Sequence, residues 1–168
     1  ALGEARILLD RAPDNPQFQS VYAIELMQTG DYETALEYFD GVLAILPNDP
    51  VTLTSKGHAL KTLGRYQQAV TAYKSALTAR PQHAEAYYSL ANLKTYRFDL
   101  DEINLMVKLQ GNSEHALMES VYMHFALGKA YEDSQQFSQS FRHYELGNEL
   151  KRKSSSYQAD KMSEELAA

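Results

Sequence analysis

The sequence contains no cysteine, which excludes disulfides, thiolate nucleophiles and cysteine-ligated zinc. It contains no tryptophan and no apolar run near the length of a bilayer span, so a membrane is not an expected partner. No signal peptide is visible, although the chain opens at "ALGEAR" without Met, as a trimmed sequence would. A basic excess is also missing. The net charge of −6 argues against a nucleic-acid partner, which demands a cationic surface. No phosphate-cradling Gly-x-x-x-x-Gly-Lys-Ser/Thr or Gly-x-Gly-x-x-Gly loop occurs, and no His-Glu-x-x-His. The five histidines (His58, His83, His115, His124 and His143) form no pair at i, i+3 or i, i+4, so a helical metal site has no support. Adjacent carboxylates such as Glu132/Asp133 and Glu164/Glu165 diverge around a helix and read as solvated surface. The sequence therefore leads to no expected catalytic residue, cofactor or metal.

What is present is an ordinary folding composition, 44% hydrophobic and 23% charged, that reads as a cytoplasmic domain. The aromatics are skewed to 12 Tyr and 6 Phe. Tyrosine joins a large apolar body to a polar tip and suits half-buried positions between helices. The chain also repeats itself. Pro13, Pro47 and Pro81 stand 34 residues apart, as do Ala1, Ala35 and Ala69. The same interval separates Gly30 from Gly64, Tyr32 from Tyr66 and Phe39 from Tyr73. The best copy is residues 50–83, "PVTLTSKGHALKTLGRYQQAVTAYKSALTARPQH".

A 34-residue period with these residue types resembles the tetratricopeptide repeat (TPR), a pair of antiparallel helices. The expected fold is all-α, helix hairpins stacked into a right-handed superhelix, because one hairpin cannot bury its own apolar face. Each column has a physical role. Gly57 and Ala69 let two helices approach closely, and Gly64 supplies the positive φ that ends a first helix. Tyr66, Tyr73 and Ala76 share one helical face, expected to point to the core, and Pro81 stops the second helix. The array divides into a half-repeat at 1–15 (its second helix at 1–12), full repeats at 16–49 and 50–83, a degenerate one at 84–112 and a last at 113–153. Helices are expected near 17–29, 32–45, 50–63 and 66–79. A start in mid-repeat reads as a fragment of a longer protein, with an exposed end that could stack on a second copy.

The pattern breaks at "LANLKTYRFDLDEINLM", residues 90–106. In register, residue 98 is Phe instead of Gly, residue 100 is Leu instead of Tyr, Ile103 replaces a close-contact Ala, and no Pro stands at 115. Two helices are still expected, pushed apart by Ile103, with Asp99 and Glu102 forming a capping box. The frame resumes with Gly128, Tyr131, Phe137 and Tyr144, with Ser140 and Gly147 at small positions. Because Ala91 and Gly128 are 37 residues apart, about three residues are inserted near "QGNS" at 110–113. The apolar series Leu117, Val121, His124, Leu127 and Tyr131 extends the next helix back to about Ser113. Residues 154–168, "SSSYQADKMSEELAA", read as a linker and a short helix.

"SLANLKTYRFDLDEI" and "HFALGKAYEDSQQFSQSFRHYELGNELKR" together resemble the junction segment of bacterial TPR-containing sulfotransferases, over roughly residues 85–160. That resemblance implies a downstream catalytic domain using 3′-phosphoadenosine 5′-phosphosulfate. Its Gly-Pro-Arg-Ser-Gly-like loop is absent here, so this chain would be the non-catalytic part.

Binding is then the expected function. In TPR proteins the first helix of each hairpin lines a concave groove. Transferred to this sequence, the groove receives Ser20, Ile24 and Met27, then Thr54, His58 and Lys61, then Tyr88, Asn92 and Tyr96 with Arg97 beside them, then Phe125 and Lys129. Aromatics with one amide and a few cations suit an extended peptide. The clamp that some family members use on C-terminal carboxylates of chaperones does not fit, since Ser20, Ile24 and His58 stand where Lys and Asn are required. The "KRK" run at 151–153 reads as complementing a helix C-terminus. The expected partner is a protein or peptide, a catalytic domain of the same chain, or a second copy.

Overall fold

The computed structural model describes residues 2–110 and 116–167, with side chains described as far as residue 154. Among the described residues the chain is all-α: α1 (Leu2–Arg11), α2 (Pro16–Thr29), α3 (Tyr32–Ile45), α4 (Pro50–Thr62), α5 (Tyr66–Ala79), α6 (Ala84–Ala91), α7 (Leu100–Gln110), α8 (Leu117–Asp133) and α9 (Phe137–Ala167). No helix is long and apolar enough to cross a membrane, again among the described residues. The chain divides into two compact units, Ala1–Ala86 and Tyr87–Ala168.

In the first unit the helices begin and end where local chemistry dictates. Asn15, Asp31 and Asp49 cap α2, α3 and α4 by accepting from Gln17 N–H (2.9 Å), Thr34 N–H (3.3 Å) and Thr52 N–H (2.7 Å). Pro16 and Pro50 open α2 and α4, at the first helical turn where a missing N–H costs nothing. Gly30 (φ +90°) and Gly64 (φ +75°) end them in the left-handed conformation. There Asp31 N–H reaches Leu26 O at 3.0 Å and Arg65 N–H reaches Leu60 O at 2.9 Å, satisfying carbonyls the helix leaves open. α2 packs on α3 and α4 on α5, with α1 on α2 and α3 on α4.

The small residues do what their spacing implies. A Cβ on Gly57 would lie 2.4 Å from the Tyr73 ring, so only glycine lets α4 meet α5 there. Tyr73, Ala69 and Ala76 are fully buried with Phe39 and Ala35. Tyr66, expected in the core, is instead 54% exposed. As the first residue of α5 it sits at the hairpin's edge, beyond the packed face.

In the second unit the expected third hairpin is more altered than its sequence implies. α6 stops at Ala91, where the frame would carry it past residue 96. Asn92 and Leu93 turn, Lys94 takes φ +59°, and residues 95–99 are irregular. α6 and α7 make no close backbone approach among the described residues, unlike α4 and α5, and α7 packs on α8. The capping box of Asp99 and Glu102 forms in both directions, at 3.1 and 2.8 Å.

The α8–α9 hairpin restores the repeat geometry. A Cβ on Gly128 would lie 2.8 Å from the Tyr144 ring, repeating the Gly57–Tyr73 contact. Gln135 (φ +61°) takes the left-handed position that Gly30 and Gly64 hold elsewhere, with Gln136 N–H on Tyr131 O at 2.8 Å. Ser140 and Gly147 are buried small residues, as their columns require. The linker expected at residue 154 is not found: α9 runs unbroken to Ala167. Nothing in "KSSSYQAD" forbids a helix, since no proline or glycine interrupts it. Most of the expected insertion at 110–113 and the helix start near Ser113 lie outside the described residues.

Candidate functional site

Within the first unit the expected groove residues differ in exposure. Ser20, Met27 and Lys61 are half-buried, and Ile24 is exposed. Thr54 is not available to a ligand. It is 2% exposed, donates its hydroxyl to Pro50 O at 2.8 Å, and meets His83 Nε2 at 2.9 Å. Arg80 holds the other ring nitrogen of His83 at 2.6 Å, so that nitrogen accepts and Nε2 carries the proton toward Thr54. His58 is half-buried and has two partners, Tyr73 OH at 3.0 Å and Glu85 Oε1 at 3.4 Å. The hydrogen bond from His58, foremost, holds the Glu85 carboxyl below its usual 4.5, against the opposing effect of burial. His58 is thus not a free groove histidine; it ties α4 to α5 and to the start of α6.

Within the second unit an aromatic cluster forms. Tyr88 on α6 stacks on Tyr122 of α8 (centroids 5.0 Å apart, 27° between planes) and tilts against Phe125 at 6.1 Å. Phe125 continues to Tyr144 at 6.4 Å and touches Gly147, where a Cβ would come within 3.1 Å of its ring. All four rings are half-buried. Tyr144 donates to Glu132 at 2.9 Å, and burial first, then this bond, raises its pKa. Tyr88 and Phe125 were expected here from their column. Tyr122 lies outside that column and outside the apolar series through Val121 and Leu127; the signal for it is its position three residues before Phe125.

The remaining expected residues divide between open and engaged. Asn92 is exposed in the turn after α6, its backbone N–H on Tyr88 O at 3.0 Å. Tyr96 donates to Glu102 at 2.5 Å. Arg97 donates to Lys94 O at 2.6 Å and Tyr96 O at 3.1 Å, and pairs with Asp133 at 3.1 Å. Lys129 pairs with the same Asp133, whose side chain is 11% exposed. Arg97 therefore fastens the irregular 92–99 segment to α8 through a carboxylate that it shares with Lys129, itself on α8. They are structural cations first. Among the described residues no cluster of three or more His, Asp or Glu side chains has the arrangement to hold a metal.

This hairpin geometry, with glycine under tyrosine and left-handed caps, belongs to one class of protein. Residues 1–50 match the tetratricopeptide repeat family, and residues 57–94 match the family described as TPR repeat. The chain carries tetratricopeptide repeats. Over 77 residues it is 27% identical to the peroxisomal targeting signal receptor of Saccharomyces cerevisiae, a match spanning 46% of this chain and 13% of that protein. Among solved structures, a crystal structure of MamA superposes with a TM-score of 0.63 at 18% identity, covering 93% of this chain and 90% of that one. MamA 41-end from Desulfovibrio magneticus RS-1 gives 0.62 at 24% identity, covering 90% and 84%. At these identities the likeness to MamA is one of fold.

Proposed function

We propose that the chain is a protein-interaction module that binds a peptide or a partner domain against its first-helix faces. The observation that carries this reading is the half-buried cluster of Tyr88, Tyr122 and Phe125, with the exposed Asn92 amide at its edge. Rings with little rotamer freedom supply contact area at low entropic cost, and an amide offers both donor and acceptor to an extended backbone. The related receptor is named for a targeting signal, which supports a peptide as the ligand class. The test uses a peptide selected on the wild-type chain from a random library. Tyr88→Ala with Asn92→Ala should weaken it at least about tenfold by calorimetry, with little change in melting temperature. Unchanged affinity removes the assignment.

A second reading places this module next to a sulfotransferase-like catalytic domain in one longer chain. It rests on the resemblance of residues 85–160. It is favoured by the way the irregular segment is built, with Arg97 on Asp133 and Tyr96 on Glu102, as a specific structure in place of a decayed repeat. The coding sequence beyond residue 168 decides it: a strand followed by a phosphate-cradling loop supports the reading, and any other domain refutes it. Self-assembly is the competing outcome for the module as a whole, and light scattering over a wide concentration range separates the two.

A further inference from the structure

The α8–α9 hairpin sets two histidines against each other, outside the aromatic cluster's own contacts. His124 Nδ1 and His143 Nδ1 are 3.0 Å apart, and their ring centroids 5.2 Å. The centroids are separated by much more than the nitrogens, so the rings meet nearly head-on. A hydrogen bond between two like nitrogens requires one to carry a proton and the other to offer a lone pair. The pair therefore holds opposite tautomers. Head-on nitrogens do not converge on a shared metal position, and no metal-holding cluster of three or more His, Asp or Glu side chains is present among the described residues.

Groups from both helices surround the pair. Tyr131 of α8 stacks on the His143 ring at 5.4 Å and 25°. From α9, Arg142 adds a repelling charge. Tyr144 of α9 and Glu132 of α8 bond to each other, and Lys129 of α8 pairs with Asp133. α7, also packed on α8, brings Asp101, Glu102 and Lys108, with Glu102 bonded to Tyr96 and to Asp99 N–H, and α6 meets α8 through the uncharged Tyr88 ring. Among the described residues the charges acting on His143 are those of His124 and Arg142, and both disfavour protonation.

We propose that the His124–His143 contact is an acid-release clasp, in which proton entry uncouples α8 from α9 and loosens this hairpin. The first proton still allows one N–H···N bond, at the cost of a charge in a half-buried, cation-flanked place. The second removes the last lone pair and sets two cations face to face. Burial, foremost, draws both imidazoles below their usual 6.5, His143 to about 4. With the folded value lowered, the unfolded chain binds more protons throughout that window. The pair's contribution to stability is therefore complete above pH 6.5 and is lost as pH falls toward about 4.

Two measurements on the whole chain test the clasp. Imidazole titration by NMR should give midpoints below 6.5 for both His124 and His143, and a midpoint at or above 6.5 for either overturns the proposal. Hydrogen exchange, corrected for the intrinsic pH dependence, should show α9 protection falling about tenfold more between pH 7 and 5 in the wild type than in His143→Phe. Where His143→Phe opens the hairpin at neutral pH, His124→Gln replaces it, since an amide can both donate to and accept from His143. Equal acid sensitivity in wild type and variant overturns the proposal.

Discussion

Gly57 and Gly128 occupy one column of the repeat and face the same partner, a tyrosine sixteen residues on, but with different freedom to yield. Tyr73 is fully buried, and an added methyl at Gly57 would lie 2.4 Å from its ring. Gly57→Ala should lower stability by about 1–3 kcal/mol, the usual cost of overpacking. Tyr144 is half-buried and can swing, so Gly128→Ala should cost less, and urea unfolding of the two variants will rank them. The opposite change is available at Gln135, which holds a left-handed φ of +61° without being glycine. Gln135→Gly should raise stability by about 0.5–1 kcal/mol by relieving that strain, read as a higher urea midpoint. These residues were legible in the sequence because glycine and tyrosine recur at a fixed interval. Thr54 and the His124–His143 pair were not. Their partners lie 29 and 19 residues away, at distances that no helical spacing rule covers.

At the scale of elements, the spans of α3 and α5 could be read directly from the period, because Gly30 and Gly64 stand just before their starts and Pro47 and Pro81 just after their ends. The end of α6 could not. "ANLKTYR" contains no glycine or proline, and the helix stops because the following segment is held elsewhere, by Arg97 on Asp133 and Tyr96 on Glu102. Tertiary bonds override local propensity there. Asp133 is the centre of this arrangement, and its removal leaves two cations without their shared carboxylate. Asp133→Asn should cost about 1–3 kcal/mol and raise hydrogen exchange over residues 92–99 more than over α4. Uniform exchange across both regions would show that the segment is held by something else.

At the scale of the whole molecule, acid should act in stages. Below pH 6.5 the histidine pair of the second unit begins to lose its contribution. Below 4.5 the Glu85 carboxylate of the first unit follows, since a carboxyl held low by His58 stabilises only while ionised. Glu85 is partly exposed and solvent screens its pair, so its share is small. Glu85→Gln should flatten the stability profile below pH 4.5 and leave the profile above it unchanged, as followed by thermal unfolding across pH. The all-helical repeat fold was legible from the 34-residue interval. The site was legible only in part, because the column rule names which helix faces a groove but not which side chains have found partners inside the protein. It offered Thr54, Arg97 and Lys129 together with Tyr88 and Phe125, and only burial and pairing separate them.

The measurement that bears most directly on binding is chemical-shift mapping of the labelled chain with a library-selected peptide. The account predicts the largest shifts at Tyr88, Asn92, Tyr122 and Phe125, lost when Tyr88 and Asn92 are replaced by alanine. Shifts concentrated on the exposed Phe137 and Phe141 of α9, with the four groove residues unmoved, would contradict it.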